Sequence, residues 1–123
     1  MVVGLAGDSF AGLEFLEWLK AGGTVPSARL LDGEGGFHAL VMTSRGLFDY
    51  DRWCRPERVS DRYYAVGTGA AAALGAMHMG ANAATAVRIA CQVDPYSGLP
   101  VEHMRLEGKA RARPRAAAQD RSA

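Results

Sequence analysis

Cysteine, histidine and lysine are all scarce in this chain, and each shortage removes a class of function. Its two cysteines, Cys54 and Cys91, stand far apart in unlike contexts, which is neither a disulfide framework nor a paired-cysteine metal motif. Two reduced thiols are expected, Cys91 in a helix core. The three histidines, His38, His78 and His103, are equally scattered, and ligand spacing proposes no metal site. No apolar run approaches the roughly 18 residues that a membrane span needs. The opening Met1-Val2-Val3-Gly4-Leu5-Ala6-Gly7 lacks the basic flank and length of a signal peptide. The expectation is a cytoplasmic protein with no cofactor, no metal and no membrane partner.

What is present fits one small soluble domain. The chain has 123 residues, 49% of them apolar and 22% charged, enough for a modest core and little more. Its formal net charge of +1 hides an asymmetry. From Glu107 onward, Lys109, Arg111, Arg113, Arg115 and Arg121 outnumber Glu107 and Asp120, so the body is slightly acidic and the tail basic. A stretch of Ala, Arg and Pro offers nothing to bury. Residues 1–106 are therefore expected to form the domain, and 107–123 a disordered tail rather than a nucleic-acid binder.

Periodicity and punctuation divide the body into elements. Val2 to Ala6 reads as a short buried strand, and Asp8 or Ser9 can cap the helix behind it. In that helix Phe10, Leu13, Leu16 and Leu19 recur at helical spacing, with Phe15 and Trp18 widening the apolar face. Lys20 suits its C-terminal end and Gly22-Gly23 closes it. Thr24 to Gly36 reads as a loop. Phe37 to Thr43 and Leu47 to Tyr50 read as a hairpin turning at Ser44-Arg45-Gly46, and Trp53 to Ser60 as a polar connection. Tyr63 to Val66 reads as a strand. Ala70 to Met79, nearly all Ala, Leu and Met, reads as a buried helix. Asn82 can cap a second helix over Ala83 to Val93, with Ala83, Ala86, Val87, Ala90 and Val93 facing inward, and Asp94-Pro95 stops it. Val101 to Leu106 reads as a last strand.

Three places can carry chemistry. Gly7-Asp8-Ser9 is similar to the nucleophile block of SGNH-type ester hydrolases, which also need a histidine base with an aspartate three residues ahead of it. His103 is the one candidate, and Pro100 holds the aspartate's place; a helix cap explains the block more simply. Gly67-Thr68-Gly69-Ala70-Ala71-Ala72 formally matches a dinucleotide-binding turn, but a second helix occupies the stretch where that fold requires a parallel strand. Asp94-Pro95-Tyr96-Ser97-Gly98 taken alone is a turn.

Taken in order, these sites say more. A strand ending Leu5-Ala6-Gly7 feeds a helix. A strand ending Ala65-Val66-Gly67-Thr68-Gly69 precedes a small-residue helix, and an Asp-x-Tyr-Ser-Gly turn follows the next one. In this order and spacing, over roughly residues 2–106, the chain resembles the proteasome β-subunit family, which includes the peptidase subunit of the bacterial ATP-dependent protease. The resemblance implies an α+β fold: a four-layer αββα sandwich of the N-terminal-nucleophile hydrolases, helices outside and two antiparallel sheets within. It implies a threonine-type peptidase of intracellular protein degradation, with like subunits in a ring, polypeptide as substrate and an ATPase unfoldase as candidate partner.

The resemblance also assigns residues. Gly7 matches the glycine whose backbone N–H stabilises the oxyanion, a donor worth about 2.7–4 kcal/mol of barrier. Leu5 would line the substrate side-chain pocket. Thr68 stands where the family has serine, near the N-terminal amine that serves as base, and Asp94 and Ser97 match the pair that orients that amine. Each of these residues also reads as an ordinary cap or turn. The family's nucleophile and activating lysine precede the strand that starts at Val2, and none of the 123 residues matches them; the only lysines are Lys20 and Lys109. The sandwich is thus expected to be incomplete and the chain as given inactive. The alternatives are a non-catalytic ring subunit of the same fold, or an ester hydrolase using Ser9.

Overall fold

In the computed structural model, which describes residues 1–106, a short edge strand, β1 (Val2–Gly7), runs into a helix, α1 (Ser9–Lys20). The Asp8 side chain caps α1 by accepting the Phe10 amide at 3.0 Å, satisfying one of the donors a helix start leaves unpaired. A five-residue helix, α2 (Ala28–Asp32), follows where sequence reads a loop. Ser27 caps it, accepting from the Leu30 amide at 3.1 Å and donating to Glu14 at 3.1 Å. The hairpin of β2 (Phe37–Thr43) and β3 (Gly46–Tyr50) forms as expected, and β4 (Pro56–Arg58) adds three residues inside the expected connection. The four strands make one antiparallel sheet in the order β1-β2-β3-β4. Two helices close the described chain, α3 (Ala70–His78) and α4 (Ala83–Val93). Asn82 caps α4, accepting the Thr85 amide at 2.9 Å.

Two expected strands do not form. Tyr63 to Val66 is extended but belongs to no ladder, and Val101 to Leu106 is irregular. Among the described residues there is one sheet. The basic tail, 107–123, lies outside the described residues. No helix among the described residues is long and apolar enough to cross a membrane.

Alternation along β2 explains the layers, because successive side chains leave a strand on opposite faces. Phe37, Ala39 and Val41 pack with Ala11 and Phe15 of α1 and Leu30 of α2. Phe15 is fully buried, its ring 5.3–5.6 Å from those of Trp18, Phe37 and Tyr50. The helix therefore lies on the sheet through Ala11, Gly12 and Phe15, where small residues permit close approach. Phe10 and Leu13 of the expected apolar face are 76% and 62% exposed.

On the other face, Leu40, Met42 and Leu47 pack with Val66 and Tyr64. Tyr63 and Ala65 point the opposite way, joining Ala73, Met77, Ala83, Ala86 and Ala90 of α3 and α4. The extended 63–66 segment is thus a layer in its own right, between sheet and helix pair. Neither closing helix is buried all round. In α3 only Ala73 and Met77 are buried, and in α4 Val93 is 67% exposed, because alanine-rich faces pack on one side through small contacts.

Candidate functional site

The chain turns at Gly67 after the extended segment, with the Ala70 amide bonding the Gly67 carbonyl at 3.1 Å. That turn delivers Thr68, exposed, and Gly69, buried, to the start of α3. Gly69 is the N-cap of α3 and supplies no side-chain oxygen. Across from it α4 ends at Asp94, its C-cap, and the chain turns again with the Ser97 amide on the Asp94 carbonyl at 3.2 Å.

Thr68, Asp94 and Ser97, assigned a common site from sequence order, meet here. One carboxylate oxygen, Asp94 Oδ2, accepts the hydroxyls of both Thr68 and Ser97, each at 2.6 Å. These are short, charge-assisted bonds. Ser97 first, then Thr68, hold the Asp94 carboxyl below the usual carboxylate range. A carboxylate at a helix C-terminus runs against the helix dipole. Here the two hydroxyls and the facing N-terminal end of α3 offset it. Gly69 makes the approach possible: a Cβ there would stand 2.7 Å from Ser97 Oγ and 3.1 Å from Ala90 Cβ.

The chemistry of the cluster follows from proton counting. A hydroxyl has one proton to donate and lone pairs that accept. Thr68 and Ser97 both spend their proton on Asp94, so what they present outward is lone pairs around a negative charge. Such a cluster receives N–H donors, an ammonium above all. Among the described residues no group of His, Cys, Asp and Glu is disposed to hold a metal ion.

Gly7 and Leu5 lie on β1 and share no hydrogen bond with the Asp94 cluster among the described residues. The phase of the ladder fixes where their amides point. The β1–β2 register pairs Ala6 with His38 and Gly7 with Phe37, and the Asp8 amide bonds the Gly36 carbonyl at 2.9 Å. Inter-strand bonds then fall on the even positions of β1, and the N–H groups of Leu5 and Gly7 are directed to the open edge. Gly7 has a φ of +102°, and a Cβ there would run into the Gly36 carbonyl oxygen, so only glycine fits. The Leu5 side chain, 39% exposed, packs beside Gly12 of α1. Ser9 is the first residue of α1, and the Asp8 carboxylate beside it serves as cap and neighbours Arg52 at 3.8 Å. That block behaves as a cap.

Sequence reasoning missed a second set of polar residues. Arg52, 6% exposed, donates to the Leu30 carbonyl at 3.0 Å and to the Gly35 carbonyl, tying α2 and the following loop to the end of β3. Asp49, 8% exposed, takes His38 Nδ1 on one oxygen at 3.0 Å and the Tyr64 hydroxyl on the other at 3.4 Å. Charged residues inside a hairpin read as its solvent face, and only the place of Asp49 two residues beyond Leu47, on the same face of β3, hints that it points inward. One hollow, of about 430 Å³, lies at the N-terminal half of α1, lined by Asp8, Phe10, Leu13, Glu14 and Arg29. It contains none of the cluster residues.

No protein-family model, no curated protein and no solved structure matches the chain.

Proposed function

We propose that this chain carries the amine-orienting half of an N-terminal-nucleophile peptidase site, as a proteasome-type β subunit of intracellular protein degradation. One observation carries the reading: two hydroxyls spend their protons on the single Asp94 oxygen. The resulting array of lone pairs and charge suits an α-amine, which in its neutral form is the base that activates an N-terminal threonine or serine and becomes an ammonium on taking the hydroxyl proton. The outward-directed amide of Gly7 is the oxyanion donor in this reading, and Leu5 lines the substrate pocket beside it.

The layering supports the sandwich. Helices α1 and α2 cover one face of the sheet, and the 63–66 segment lies between its other face and α3–α4. No backbone hydrogen bond joins Tyr63, Tyr64, Ala65 or Val66 to another segment among the described residues, although Ala65 and Val66 are 5% and 4% exposed. Buried backbone groups normally find partners. In this reading they pair with strands of a second sheet, which also bring the nucleophile and lysine absent from these residues. Like subunits form a ring, and exposed Phe10 and Leu13 on α1 suit contact with the next copy.

The test is the protein produced from its own gene. Its N-terminal residue and mass are read by mass spectrometry, its assembly by sedimentation, and its turnover with fluorogenic peptides. A ring with an N-terminal threonine or serine, whose turnover falls on Asp94→Asn and Ser97→Ala, supports the reading. The 123-residue chain by itself is expected to be inactive. Peptide turnover that survives both substitutions refutes the assignment, and an inactive ring made of these residues alone selects a non-catalytic subunit.

A further inference from the structure

The Asp94 cluster depends on where Thr68 stands, and Thr68 is carried by a segment with no ladder bonds. Among the described residues, Tyr64 alone of 63–66 makes a hydrogen bond to the sheet, its hydroxyl donating to Asp49 Oδ2 at 3.4 Å, a long contact. Burial, then the negative charge of Asp49, pushes the Tyr64 phenol above its ordinary range, so it stays a donor at neutral pH. Glu57 and Asp61 add to that negative surrounding. The other Asp49 oxygen is taken by His38 Nδ1 at 3.0 Å; a carboxylate only accepts, so the imidazole donates. Asp49 is itself buried on β3, a fixed anchor. From Tyr64 the chain has little freedom before Thr68: Val66 is buried against Leu40, Met42 and Leu47, and the turn at Gly67 is closed by its own hydrogen bond.

We infer that Asp49, oriented by His38 and bonded to Tyr64, is a positioning device for Thr68 and so for the polar cluster on Asp94. The inference rests on the proposed function only in treating that cluster as the functional site. Its physical content is a coupling between a sheet residue and a carboxylate at the end of α4. A mere contribution to stability would leave the folded-state ionisation of Asp94 unchanged. A positioning role moves it, because Thr68 is one of the groups that hold the Asp94 carboxyl low.

The experiment is an NMR titration of the Asp94 side-chain carboxyl in the full 123-residue chain, at temperatures where each variant is folded. Thr68→Val removes the hydroxyl directly and sets the scale, with an upward pKa shift. Tyr64→Phe and Asp49→Asn are expected to produce a substantial part of the same upward shift, and His38→Ala a smaller one. If Thr68→Val raises the pKa and neither Tyr64→Phe nor Asp49→Asn does, the positioning role is wrong while the cluster survives. If Thr68→Val changes nothing, the cluster itself is wrong and the inference falls with it. Should Asp49→Asn fail to fold, Tyr64→Phe removes one hydroxyl and decides alone.

Discussion

Replacing Gly69 by alanine tests the closest approach in the candidate site. The backbone there has φ −87° and ψ 5°, the third position of a type I turn, which residues other than glycine occupy, so no left-handed strain contributes. The new Cβ would stand 2.7 Å from Ser97 Oγ, 3.1 Å from Ala90 Cβ and 3.7 Å from Asp94 Oδ2. Ser97 can swing away only by giving up its bond to Asp94, while Ala90 is buried on α4 and cannot yield without moving the helix. Overpacking of this kind costs about 1–3 kcal/mol, and each kcal/mol lowers the melting temperature of a domain this size by about 4–8 °C. Alanine is also a poor N-cap, so Gly69→Ser is the companion variant. Serine is a preferred cap but carries the same Cβ. If sterics dominate, Gly69→Ser melts as low as Gly69→Ala; if the cap dominates, it recovers to wild type. Gly75→Ala in the same helix meets nothing within 4 Å and should stabilise by about 0.5–1 kcal/mol. Thermal melts by circular dichroism read all three. A Gly69→Ser protein as stable as wild type would refute the packing of α3 against the Asp94 turn.

Arg52→Met should destabilise by about 1.5–3 kcal/mol in chemical denaturation, because the guanidinium's bonds to the Leu30 and Gly35 carbonyls are charge-assisted and buried. Arg52→Lys should recover little of this, since a single ammonium cannot reproduce the fork. Burial and then the charge of Asp51 push the Cys54 thiol up to about 11, so at pH 8 a thiol reagent should modify the half-buried Cys91 first and Cys54 only on unfolding. The Asp94 carboxyl is depressed in the folded state; the stability it contributes is present above the unfolded carboxylate pKa and lost as pH falls through the folded value. Ser97→Ala should therefore flatten the acid limb of a stability–pH curve, read from melts across the acid range, and leave alkaline behaviour unchanged.

Elements whose signals are local were legible in the sequence. A cap at Asp8 or Ser9 and another at Asn82 were legible because a short side-chain oxygen beside an amphipathic run has one good use; Asp8 takes the first role, accepting the Phe10 amide, and Asn82 accepts the Thr85 amide. The hairpin over Phe37–Tyr50 follows from alternation on either side of Ser44-Arg45-Gly46. The orientation of α1 was less legible, because its apolar residues cover more than one face. Phe10 and Leu13 obey the helical period as well as Phe15 does, and only the small pair Ala11-Gly12 marks the side that can lie against a sheet. The inward charges, Arg52 and Asp49, are barely marked by any local rule. Their partners come from α2, from β2 and from the segment after β4, so the pairings exist only in three dimensions.

The 63–66 segment shows where sequence patterning stops being sufficient. Tyr-Tyr-Ala-Val has the composition and alternation of a strand, and its side chains do alternate between two layers, Tyr64 and Val66 toward the sheet, Tyr63 and Ala65 toward the helices. Alternation specifies which faces a segment covers. It carries no information about what lies at its edges, because ladder bonds are made by backbone groups that every residue has. A segment can therefore satisfy the side-chain half of strand formation and leave the backbone half open. Thr68 inherits its position from that segment. The hydroxyl that meets Asp94 is held in place by burial of Val66, a closed turn and one phenol on a buried carboxylate. If a second sheet pairs with this backbone, the ladder would take over much of that load, and Tyr64→Phe would then disturb Asp94 less in the paired form than in the isolated chain.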